Sequence, residues 1–126
     1  MGALLAMPYM TLAAGASTTG GSLWLGPDNV AGWSMHIITT GTLTGSFKFY
    51  RSSDPRARPD RSTADRAAAA WKEFTSDVSS MISNPAGGTT DFEVMASDFR
   101  ADFLRMDYVH VSGSGTVTVF FSGHGA

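Results

Sequence analysis

Apolar side chains recur at every second position along Leu104, Met106 and Tyr108, and again along Val117, Val119 and Phe121. Arg105, Asp107, Thr116, Thr118 and Ser122 stand between them. Successive side chains of an extended chain point to opposite sides, so a period of two marks a strand with one buried face. The same period runs through Trp33–Thr40, where Met35, Ile37 and Thr39 alternate with His36, Ile38 and Thr40. It returns in Leu43–Arg51 through Leu43, Phe47 and Phe49, and in Asp91–Ala96 through Phe92, Val94 and Ala96. Gly45 interrupts the second of these runs at the position of a β-bulge. Ser22–Leu25 and Asp77–Ser83 read as shorter, weaker strands, and Asn84–Gly88 reads as a loop rich in turn-forming residues. Between Tyr108 and Val117 lies Ser112-Gly113-Ser114-Gly115, which predicts that the last two strands form a hairpin. About seven short strands punctuated by turns predict an all-β chain, an antiparallel β-sandwich or jelly roll.

Two segments fall outside this pattern. Met1–Ala14 is apolar without a charge, and Ala13–Gly21 is built from small residues. No Lys or Arg precedes the apolar run, and Pro8, Tyr9 and Thr11 interrupt it, so it does not have the form of a cleaved signal. It is also shorter than the ~20 apolar residues that cross a bilayer, and a membrane partner is not expected. Residues 1–21 therefore read as an extended N-terminal arm, and 22–126 as a single β-sandwich domain. The arm should lie on a neighbouring subunit through Leu4, Leu5, Met7 and Tyr9, and its removal should leave the domain folded.

The second segment is Arg51–Arg66, with five arginines and three aspartates, +5 − 3 = +2, against −4 for the rest of a chain of net charge −2. It reads as an exposed loop, with Arg56, Arg58 and Arg61 as candidate subunit contacts, since Arg is enriched at protein interfaces. Ser62 or Thr63 caps one short helix, predicted to run through Ala64–Phe74 with Ala67, Ala70, Trp71 and Phe74 on one face. The interleaved acids, the absence of aromatic residues from the loop and a pI of about 5.8 argue against nucleic acid.

Chemistry-bearing patterns are sparse. With no cysteine there is no disulfide, thiol nucleophile or Cys-type zinc site. There is no nucleophile elbow, zinc-protease motif, phosphate loop or dinucleotide fingerprint, so no catalytic residue, cofactor or enzyme activity is expected. His36 and His110 lie in predicted strands and His124 in a short, solvated tail, a poor basis for a metal site. Asp28 with Asn29, Asp54, and Asp98 with Asp102 lack the dense alternation of a calcium loop. Asp98, Asp102 and Asp107 read instead as surface partners for Arg100 and Arg105. Trp24, Trp33 and Trp71 are candidates for sugar stacking, although core burial is the commoner fate of such residues.

Four stretches carry a resemblance: Gly41-Thr-Leu-Thr-Gly-Ser-Phe-Lys-Phe-Tyr-Arg-Ser-Ser-Asp54, Trp71-Lys-Glu-Phe74, Phe103-Leu-Arg-Met-Asp-Tyr108 and Ser112-Gly-Ser-Gly-Thr-Val-Thr-Val119. Together they resemble a pattern of small tailed-phage virion proteins of the capsid decoration or cement type and, more distantly, of discoidin-like jelly rolls. In such an arrangement Phe47, Phe49, Trp71, Leu104 and Met106 would fill the space between two sheets, while Arg105 would point outward or pair with an acid. The Arg56–Arg66 insertion and the missing cysteine pair depart from the discoidin pattern. The resemblance implies a structural protein of the virion, on the capsid surface, that bridges neighbouring subunits of the major capsid protein. It also implies a homo-oligomer, commonly a trimer. The alternative is a carbohydrate-binding, discoidin- or lectin-like module of a phage tail or baseplate, with Trp24, Trp33 or Tyr50 stacking on the sugar.

Overall fold

The computed structural model describes residues 5–27, 30–74, 81–83, 88–96 and 101–125. The alternating runs become strands of two antiparallel sheets. The first has the order β1 (Leu5–Ala14), β9 (Gly115–Gly125), β3 (Val30–Gly41), β7 (Thr89–Ala96). The second has the order β2 (Leu23–Trp24), β8 (Phe103–Ser112), β4 (Thr44–Ser52), β5 (Lys72–Glu73), and β6 (Met81–Ser83) also pairs with β4. Residues 75–80 and 84–87, which carry most of the expected Asp77–Ser83 strand and Asn84–Gly88 loop, lie outside the described residues.

The inward positions are those that the period of two selects. Trp33, Met35, Ile37, Val117, Val119 and Phe121 face inward from the first sheet, and Phe47, Phe49, Leu104, Met106 and Tyr108 from the second, all buried in one cluster. Trp33 joins the layers, its ring stacked on Phe49 at 5.6 Å. At roughly 1.5–3 kcal/mol per buried large apolar side chain, this core is the main source of stability. Gly45 sits where the β4–β8 register shifts, and a Cβ there would come within 2.6 Å of Val109 O, so the expected bulge is present.

Three expectations are corrected. The last two strands do not pair with each other: β8 bonds to β4 and β2, β9 to β1 and β3, and Gly113-Ser114 carries the chain from one sheet to the other. Alternation specifies which face is buried, and two strands of opposite sheets satisfy it as well as two neighbours do. Thr42-Leu43 makes a second such crossing beside it, with Thr42 N–H donating to Ser114 O at 2.8 Å. The helix α1 spans only Thr63–Ala68. Ser62 caps it as expected, accepting from Asp65 N–H at 3.1 Å. It ends at Ala69, whose backbone is extended, and the chain then pairs as β5, so Trp71 and Phe74 are not on a helix.

The third correction concerns residues 1–21. Leu5–Ala14 is an edge strand of the first sheet, paired with β9 from Leu5↔Gly123 to Ala14↔Gly115, and Met10 belongs to the core. Tyr9 reaches across to the second sheet, where its hydroxyl accepts from Met106 N–H at 2.9 Å and donates to Gly21 O. Burial pushes the Tyr9 hydroxyl well above the usual phenol range. The apolar run finds its partner within the chain, because the outer edge of β9 would otherwise have unpaired backbone groups.

Candidate functional site

The two segments outside the alternating pattern meet over the outer face of the second sheet. Thr18 pairs with Tyr108 as an isolated bridge beside β8, and Gly20 N–H donates to Asp107 Oδ1 at 3.1 Å. A Cβ at Gly20 would collide with Met106 O and the Tyr9 hydroxyl, so only glycine fits this close approach. The Arg-rich segment folds against the same side. Its Ala57 and Ala69 are buried with Phe103, and Trp71 packs against them. Ser22 Oγ donates to Ala57 O and joins the two segments directly.

Between them lies a cleft of about 390 Å³, walled by Thr19, Gly20, Gly21 and Ser22 on one side and by Thr63, Arg66, Ala67 and Trp71 on the other, with Arg105 also lining it. The outward position expected for Arg105 is observed. Its guanidinium bonds Asp107 twice, at 2.9 and 3.0 Å, and lies 4.4 Å from the Tyr50 ring and 4.9 Å from the Trp71 ring. Both partners of this ion pair are only 16% exposed, so it is held more rigidly than a surface pair. Trp71 is further fixed by its indole N–H, which donates to Arg66 O at 2.8 Å. Expected between the sheets, Trp71 is instead a wall of the cleft, half-buried.

The other candidates are distributed as follows. Trp33 is core, and Trp24 is 38% exposed with Arg58 lying 4.5 Å over its ring. Arg56 bonds Asp54, and Arg58 bonds Asp60 through Nε at 3.1 Å and Nη2 at 2.8 Å. Arg61 lies 4.0 Å from Asp65. The segment expected to be an exposed loop is thus a folded, internally paired lobe. Asp54 is its hub, accepting from Arg56 N–H, the Arg56 guanidinium and Ala70 N–H, and the Arg56 contact first of all holds its carboxyl below the usual range. Of the expected arm contacts, Met7 is 38% exposed on the first sheet's outer side, Tyr9 is engaged as described, the Leu5 backbone pairs in β1, and Leu4 lies outside the described residues.

The outer face of the first sheet presents a shallower trough of about 600 Å³ lined by Met7, His36, Glu93, Phe120 and His124 among others. His36 bonds Asp91, and His124 is within β9, 3.3 Å from Ser122 Oγ, rather than in a free tail. His110 is on the other sheet, against the Tyr108 hydroxyl at 2.9 Å. Among the described residues no three His, Asp or Glu side chains gather in a group able to hold a metal ion. Asp28, Asn29, Asp98 and Arg100 lie outside them.

No protein-family model matches this chain, and no curated protein does. Among solved structures, the CBM22-1 xylan-binding domain of Paenibacillus barcinonensis Xyn10C is similar, with 11% sequence identity and a TM-score of 0.44. The match covers 98% of this chain and 96% of that one.

Tyr50 and Arg105 were each legible as outward-facing from alternation; that β4 and β8 pair and set them side by side was not. The contribution of Trp71 was not, because its place depends on where the alanine run stops being helical. Nor did any local signal place Thr19–Ser22 opposite α1.

Proposed function

We propose that this protein is a non-catalytic carbohydrate-binding module whose ligand sits in the cleft between Thr19–Ser22 and α1. The observation that carries this reading is Trp71, held by its indole bond to Arg66 O and by the Arg105 guanidinium, as an immobilised aromatic wall of the cleft beside the hydroxyls of Thr19, Ser22 and Thr63. Sugars require this pairing of surfaces: an apolar ring face that packs on an aromatic plane, and hydroxyls that exchange hydrogen bonds with polar groups already in position. The volume is at the lower end of small-ligand sites, roughly 300–1,000 Å³, and suits one or two sugar rings.

Capsid decoration, with the major capsid protein as partner, needs free contact groups in the Arg-rich lobe and in the N-terminal segment. Arg56 and Arg58 are bonded within the lobe and β1 is bonded within the sheet, which favours the saccharide reading over it.

Affinity electrophoresis in gels containing soluble neutral and acidic polysaccharides tests the proposal. At least one polysaccharide should retard the protein, Trp71→Ala should abolish retardation, and Phe120→Ala, on the opposite sheet, should not. Migration unaffected by any polysaccharide would overturn the reading. Loss of retardation in Phe120→Ala alone would move the site to the first sheet's outer trough.

A further inference from the structure

Among the described residues, one cationic group of the cleft has no acid paired with it. Arg105 is matched by Asp107 in a two-bond pair. Arg66 is held by neutral acceptors: Nη1 donates to Pro59 O at 3.1 Å and to Arg61 O, and Nη2 to Thr63 Oγ1 at 3.4 Å. Asp65, its neighbour on α1, lies on the side of Arg61. A guanidinium has five N–H donors in one plane. The three bonds fix that plane and leave Nε–H and one Nη2–H without a partner among the described residues.

A pre-oriented guanidinium with donors to spare and no counter-charge is the complement of a planar carboxylate, which can accept two parallel bonds. A neutral sugar in the cleft would leave this charge to water. A sugar acid would match it while its ring packs beside Trp71, which is tied to the same residue through the indole bond to Arg66 O. We infer that the ligand is a saccharide bearing a carboxylate, a uronic-acid glycan, with Arg66 as its charge partner; this rests on the saccharide reading of the cleft.

Calorimetric titration with oligosaccharides of polygalacturonate, alginate and glucuronoxylan, each against its carboxyl-reduced form, tests the inference. At low salt the protein should bind at least one acid form roughly 10-fold more tightly than its reduced counterpart, the size of one charge-assisted contact. Added salt should close that gap. Arg66→Gln should close it at low salt, and Arg66→Lys should retain part of it. Because Arg66 also holds the Pro59 and Arg61 carbonyls, both variants are checked by thermal unfolding, and the wild-type comparison decides if the glutamine variant melts. Equal binding of acid and reduced forms, or a preference that survives in folded Arg66→Gln, overturns the inference and leaves the saccharide reading standing. Binding of no saccharide, acidic or neutral, overturns both.

Discussion

Asp54 shows how much of the lobe depends on one side chain. Its carboxylate ties the turn at Pro55–Ala57 to Ala70 N–H at 2.8 Å, so the two ends of the Arg-rich segment close on one acceptor. Because hydrogen bonds from Arg56 favour the ionised form, the folded-state pKa lies below the ordinary value of about 3.8. A depressed carboxyl pKa contributes stability that is fully present above the unfolded value and is lost as pH falls through the folded one. The lobe should therefore loosen as pH drops below about 4, seen as a falling melting temperature and a change in Trp24 and Trp71 fluorescence. Asp54→Ala should already show the loosened state at neutral pH and a flatter acid response; an acid response unchanged by the substitution would remove Asp54 from this role. At this scale the sequence was partly readable. The outward direction of Arg105 and its pairing with an acid followed from period two, with Asp107 on the same face two residues on. Tyr9 was misplaced because its partner, Met106 N–H, is distant in sequence and no local pattern marks it, and Trp71 because its place, with the indole bonded to Arg66 O, depends on where the helix ends.

Element boundaries were mostly legible, and element neighbours were not. The strands β3, β4, β7, β8 and β9 fall where the alternation puts them, and Ser62 starts the helix it was expected to cap. Alternation is blind to which strand lies alongside, and the Gly-rich Ser112–Gly115 stretch suits a crossing between sheets as well as a hairpin. What distinguishes the two is backbone geometry at Gly113, which has φ +83° and approaches Thr42 so closely that a Cβ would overlap its carbonyl oxygen. Gly113→Ala should therefore destabilise the fold by about 1–3 kcal/mol, through a strained φ and the displaced neighbouring crossing. Gly15→Ala, where a Cβ meets nothing within 4 Å, should be neutral or slightly stabilising. Urea midpoints of the two variants check this, and equal midpoints would contradict the stacked crossings.

For the whole molecule, the decisive feature is that the first and last described strands pair in one sheet. β9 is bonded on one side by β3 and on the other by β1, so the first sheet is complete only when the last described strand meets the first. Such non-local pairing raises the loop-closure entropy that must be overcome before any contact compensates it, and folding should be slow for a domain of this size. An apolar N-terminal run looks dispensable when only its sequence is read, since it carries neither the strict period nor a charge. In the structure it supplies Met10 to the core, the Tyr9 hydroxyl to β8 and a full ladder to β9. Losing the Met10 side chain costs about 2–5 kcal/mol by analogy with other buried truncations, and leaving Met106 N–H without its acceptor about 1–3 kcal/mol more. Together these come to about 3–8 kcal/mol, before the lost β1–β9 ladder is counted, a large part of the roughly 5–15 kcal/mol stability of a typical domain. Deleting residues 1–14 should therefore abolish the cooperative unfolding transition and expose the β9 edge to aggregation. Tyr9→Phe alone should retain the transition at a lower urea midpoint. A truncated protein that still unfolds cooperatively at the full-length midpoint would show that β1 lies on the sandwich without being part of it.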